Sequence, residues 1–114
     1  MDQRNQCQEL HSKCMIEEKK IKKKFTKVVK FINNNNLNLS IDCNKNMKGL
    51  IKQWNKKDKN IQAYFDMKDF HSYITGELDE KGGEIKELWV DYLMSGMTFR
   101  TQLMVLNHKI QSLN

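Results

Sequence analysis

The sequence predicts an all-α protein, a small four- to five-helix antiparallel bundle with a long basic first helix. Three observations carry that reading. Apolar residues recur at spacings of three and four along most of the chain, the period of a helix with one buried face. The periodic segments are separated by short polar connections, which suits antiparallel neighbours. Only one stretch alternates like a strand, and no second strand is available to pair with it.

Residues 7–32 read as the first helix. Cys7, Leu10, Cys14, Ile21, Phe25, Val28 and Ile32 fall along one stripe, and Glu18 stands four residues before Lys22, where it can support it. The run Asn33 to Asn36 ends this helix, because Asn tolerates the left-handed conformation that closes helices. Leu37, Leu39, Ile41 and Cys43 then alternate with polar residues. Without a partner strand, this stretch is expected to be an extended connection that tucks Leu39 and Ile41 against the core. The helical period returns at Met47, Leu50, Ile51 and Trp54, with Asn44 or Asn46 as the expected cap.

A polar run, Asn55 to Asn60, follows. Ile61, Tyr64, Phe65, Met67, Phe70, Tyr73 and Ile74 predict one helix or two short ones, with Asp66 as an internal cap. Thr75-Gly76 and Lys81-Gly82-Gly83 predict turns on either side of an acidic loop. Ile85, Leu88, Trp89, Tyr92 and Leu93 form a further helical face, and Ser95-Gly96 is the expected break or kink. Phe99, Leu103, Leu106, Ile110 and Leu113 then step by four, three, four and three, a heptad-type seam.

A chain of 114 residues is expected to form a single helical domain, 1–114, since domains commonly run to about 100–150 residues. No apolar run approaches the roughly 20 residues of a membrane span. The amino-terminal residues lack the apolar core of a secretory signal, and three cysteines are too odd a number for a disulfide framework. The expectation is therefore an intracellular protein, cytoplasmic or nuclear, in a reducing compartment. Lysine outnumbers arginine 18 to 2, asparagine appears 12 times, and there is no proline and one alanine, Ala63. This pattern points to AT-rich coding, which weakens a functional reading of the net charge of +6. That charge is unevenly placed: residues 1–60 carry +9 and residues 61–114 carry −3. Either the basic half meets an acidic partner or the two halves attract each other within the fold.

Two constellations stand out. Cys7, His11 and Cys14 lie at i, i+4 and i+7, one face of a helix, and Cys43 could supply a fourth ligand. Thiolate and imidazole suit tetrahedral zinc, so a closed structural zinc site is one reading and no other cofactor is expected. Cys7 and Cys14 equally suit a buried stripe as small apolar residues. A disulfide between them is excluded on an intact helix, where about 10 Å would separate their Cα atoms. The second constellation is the basic run Lys19, Lys20, Lys22, Lys23, Lys24, Lys27 and Lys30 around Ile21, Phe25, Val28, Val29, Phe31 and Ile32. It fits a solvated face over a core stripe, a track for nucleic-acid phosphates, or an anionic membrane surface. With two arginines in the chain, base-edge readout is not expected, so nucleic-acid binding would be salt-sensitive and weakly specific.

The aromatic residues at helical spacing, Trp54, Tyr64, Phe65, Phe70, Tyr73, Trp89 and Tyr92, are expected in the core. Asp66 and Asp69, and Glu84, Glu87 and Asp91 on one helical face, are the carboxylates that could serve acid–base or magnesium chemistry. No Glu-x-x-His pair, Gly-rich phosphate loop or serine nucleophile elbow accompanies them, and His71 and His108 stand alone, so no enzyme is expected. Met94, Met97 and Met104, beside Gly96, suit an adaptable groove or core filling. Residues 47–61, with Leu50, Ile51 and Trp54 in a Lys-rich helix, resemble one helix of the interferon-gamma-type cytokines; the likeness has no distinctive motif and no residue role is taken from it.

The expected function is that of a small protein–protein interaction module, an adaptor, inhibitor or small subunit of a larger assembly, acting through amphipathic helices. Its partner, another protein or a second copy of itself, would meet Lys20, Lys23, Lys24, Lys27 and Lys30 or the seam Phe99, Leu103, Leu106 and Ile110. The alternative is a low-specificity nucleic-acid-binding protein using the same lysines, with an anionic membrane surface ranked third.

Overall fold

The computed structural model describes residues 2–55 and 68–113. They form α1 (Asp2–Asn34), α2 (Ile41–Asn55), α3 (Lys68–Lys81) and α4 (Gly83–Ser112), with no strand among the described residues. The all-α class therefore holds, and the first helix is long. The polar run after Asn55 and the aromatic segment up to Met67, with the proposed cap Asp66, lie outside the described residues.

Helix α1 follows its stripe. Cys14, Ile21, Phe25 and Val28 are buried, and Cys7, Leu10 and Ile32 pack around them. It ends where the asparagines begin. Asn36 takes a left-handed φ of 49°. The Leu37 amide reaches back to the Ile32 carbonyl at 3.1 Å, and the Asn36 amide to the Asn33 carbonyl at 3.4 Å. This is the paired hydrogen-bond closure that satisfies the last carbonyls of a helix, and Leu37 and Ile32 beside it both pack against the core.

The alternating stretch 37–43 is a link followed by a helix start. The Ser40 hydroxyl accepts the Cys43 amide at 3.1 Å, and the Ser40 carbonyl takes the Asn44 amide at 3.0 Å. Ser40 is thus the N-cap, in place of the expected Asn44 or Asn46, because it sits three residues before the first amide that needs a partner. Leu39 is buried as expected, but Ile41, at the first helical position, is 87% exposed. From there Met47, Leu50 and Trp54 face the core.

Helix α3 runs through Thr75-Gly76, so the expected turn and acidic loop are absent there and Glu77 to Glu80 are helical. Ile74 and Leu78, one turn apart, are both fully buried. Burying two such side chains is worth about 1.5–3 kcal/mol each, against roughly 1 kcal/mol lost by a helical glycine. The turn falls at Gly82, with φ 64° and ψ −168°, and Gly83, with φ 61°. The first of these conformations is open almost exclusively to glycine. Helix α4 likewise passes unbroken through Ser95-Gly96, with Gly96 buried, so the expected break is absent there.

The most extensive helix contact is between α1 and α4. They run antiparallel: Lys109 donates to Gln6 at 3.2 Å, while Lys24 bonds Asp91 at 3.0 Å and Ser95 at 2.6 Å. Helix α3 packs on both α4 and α2. Among the described residues, one hydrophobic cluster, from Cys14 to Leu106, draws on α1 to α4. Trp89, Tyr92 and Phe99 are its largest fully buried side chains. Its two indoles are satisfied: that of Trp89 donates to Thr75 and that of Trp54 to the Tyr92 hydroxyl, each at 2.9 Å. The Tyr92 ring lies 5.2 Å from Phe25 and 5.0 Å from Trp89, within the range where aromatic pairs attract. Among the described residues, no helix is long and apolar enough to cross a membrane.

Candidate interaction surfaces

Cys7 is half-buried and Cys14 buried on the α1 stripe, while His11 is exposed. Cys43 sits at the start of α2, where it bonds the Glu77 carboxylate of α3. Among the described residues, no three His, Cys, Asp or Glu side chains stand close enough to hold a metal ion. The proposed zinc site of Cys7, His11, Cys14 and Cys43 is thus not assembled, because packing takes its thiols into the core. Burial, and then Glu17, pushes the Cys14 thiol up from its ordinary value. Burial, and then the Glu77 carboxylate, pushes Cys43 up to about 12. Both shifts favour the protonated thiol over the thiolate.

Glu77 organises the start of α2. Its carboxylate accepts the Ser40 amide and the Ser40 hydroxyl, each at 2.5 Å. The Tyr73 hydroxyl lies 3.1 Å from the same Ser40 oxygen. Burial pushes Glu77 up, but the bonds from Ser40 and Cys43 and the nearby Lys81 outweigh it and hold the carboxyl below its ordinary value. This is the role of a capping-box glutamate, supplied here from a neighbouring helix.

The basic run divides. Lys20, Lys23, Lys27 and Lys30 are exposed in a row on the side of α1 opposite its buried stripe. Lys20 pairs with Glu17 at 3.6 Å. Lys24 leaves the row and turns to α4, where it meets Asp91 and Ser95. Phe25 is buried, and Phe31 and Ile32 pack against the core. Phe25 is thus largely withdrawn from solvent, while Phe31 and Ile32 remain partly exposed.

The carboxyl-terminal seam is divided too. Phe99 and Leu106 are 1% and 6% exposed and belong to the cluster, with Leu103 packed against it. They face the chain's own core, so they offer no open surface. Ile110 is exposed near the end of the helix. The opposite side of α4 carries a second apolar row. Val90, Met94, Met97, Met104 and Val105 are all exposed, the three methionines at 63%, 70% and 61%. Val90, Met94, Met97, Thr101 and Met104 repeat at four, three, four and three, the spacing of a helix–helix seam. The spacing was present in the sequence, where it is masked by the inner row that shares the same period. Glu84, Glu87 and Asp91, the candidate acidic face, are exposed, with Asp91 bound to Lys24.

Comparison with protein-family models, curated proteins and solved structures gives no match for this chain.

Proposed function

We propose that this chain is a non-catalytic protein-interaction module, an adaptor, inhibitor or small subunit, whose contact surface is the outward face of α4. The observation that carries the reading is the exposed row Val90, Met94, Met97, Met104 and Val105, on a helix whose other face is already buried. A contiguous apolar row left in water marks an interaction site. Methionine suits one, being unbranched and polarisable and so able to fit an uneven partner. The occupant that the four–three spacing favours is an amphipathic helix, which would bury both seams at once. The three cysteines are unpaired, which supports a reducing, intracellular setting.

The test is Met94→Glu with Met97→Glu. Both side chains point into solvent, so helicity and melting temperature should stay at wild-type values. The bound partner, or the dimer if the partner is a second copy, should disappear in sedimentation velocity. A complex that survives the double substitution overturns the reading.

A second reading rests on the outward row Lys20, Lys23, Lys27 and Lys30. Four lysines on phosphates would give a log–log salt slope of about −3.6 on duplex DNA. Anisotropy with labelled duplex and single strand, repeated with Lys23→Glu and Lys27→Glu, decides it. Binding that is absent at low salt, or unchanged by the substitutions, removes it.

A further inference from the structure

A cleft remains open between α1 and α2. Its larger part, about 380 Å³, has Phe25, Val29, Ile51 and Trp54 as its apolar floor and Lys22 and Lys30 among its rim. A smaller continuation of about 180 Å³ shares Val29 and Ile51, adds Ile32 and Met47, and has Lys48 at its edge. Among the described residues, no carboxylate lies within ion-pair distance of Lys22, Lys30 or Lys48. Lys22 and Lys48 stand apart from the outward row, and Lys30, the last lysine of that row, also borders the cleft.

We propose that this cleft binds a single-chain amphiphile with an anionic head, its tail on the Phe25–Val29–Ile51–Trp54 floor and its head at Lys22 and Lys30. Three observations select that occupant. The rim is cationic and, among the described residues, without carboxylate partners, so it favours an anion over a cation or a neutral head. The floor is apolar, and its one indole N–H is already bonded to the Tyr92 hydroxyl at 2.9 Å, so it offers the ligand little beyond surface to cover. The volume is in the range of small-molecule sites, about 300–1,000 Å³. A peptide helix, about 10–12 Å across with its side chains, would need a broader trough.

Calorimetry with sodium dodecanoate below its micellar concentration gives the affinity, and quenching by a bromine-labelled fatty acid reports whether the tail reaches Trp54. The expected result is saturable binding of one dodecanoate per chain with quenched tryptophan emission. Lys22→Glu with Lys30→Glu should weaken it at least tenfold, while Lys20→Glu with Lys23→Glu should leave it unchanged. Among the described residues Lys22, Lys23 and Lys30 have no ion-pair partner and Lys20 has only a surface contact, so the variants should keep the wild-type circular dichroism. Absence of saturable binding overturns the proposal. So does equal binding of a neutral dodecyl amphiphile, or an equal loss with the outward pair. Binding to anionic phospholipid vesicles without binding to free dodecanoate also overturns it, and would assign the lysines to a membrane surface.

Discussion

The Glu77 carboxylate does for α2 what a residue of α2 itself would ordinarily do. It accepts the Ser40 amide and hydroxyl and holds the Cys43 thiol, so one side chain of α3 fixes where the next helix begins. Because its folded-state pKa lies below the ordinary value of 4.5, its contribution is present above that pH. It is lost as the pH falls through the lower folded value. Glu77→Gln should therefore destabilise the protein at neutral pH, and the gap to wild type should narrow towards pH 3. Urea unfolding followed from pH 7 to 3 checks this, and a gap that is constant with pH would contradict it. Cys43 has the opposite sign. Its protonated thiol contributes fully below pH 9.0, and that contribution is lost as the pH rises towards 12. At pH 8 a thiol reagent should modify Cys7 quickly and reach Cys14 and Cys43 only through opening of the fold. Three equal fast phases in the native protein would show that the two thiols are not held as described.

Glycines at two positions separate local propensity from packing. Gly76 lies within α3, and a Cβ added there would meet nothing within 4 Å. Gly76→Ala should stabilise by about 1 kcal/mol, the difference between the two residues in a helix interior. Gly82, at φ 64° and ψ −168°, permits the reversal from α3 to α4. Gly82→Ala should destabilise by about 1–3 kcal/mol through backbone strain alone. Denaturant midpoints that move in the same direction for both would contradict the placement of the turn. The same pair explains what was legible beforehand. The stripes Cys14–Ile21–Phe25–Val28 and Met47–Leu50–Trp54 could be read directly, because their period is the period of the helix they form. Thr75-Gly76 misled because a glycine signals a turn only when nearby packing does not oppose it, and here Ile74 and Leu78 do. The start of α2 was hidden because Ser40 is stabilised by a residue 37 positions away. On α4, two apolar rows share one period. Which row turns inward is decided by α1, a contact between the two ends of the chain that no local window contains.

The two long helices set the shape of the molecule. Their 33 and 30 residues, at about 1.5 Å each, account for a body of 54 × 22 × 22 Å. Its radius of gyration is 16.0 Å, against about 13 Å for a compact chain of this length. Such a rod has much surface for its volume, and its sides differ in chemistry: lysines on the outer side of α1, methionines and valines on the outer side of α4. Among the described residues, one ion pair joins the oppositely charged halves. Lys24–Asp91, with side chains 30% and 58% exposed, is a surface pair worth about 0–1 kcal/mol. The shared apolar core holds the halves together, which leaves the two outer faces free to be used.

The claim that α4's outer face is the working surface is tested most directly by site-specific photo-crosslinking in cells, with a benzophenone side chain placed at Met97 in one protein and at Lys23 in another. The account predicts a discrete adduct from position 97 and none from position 23. An adduct from position 23 alone would contradict it and move the working surface to the lysine row of α1.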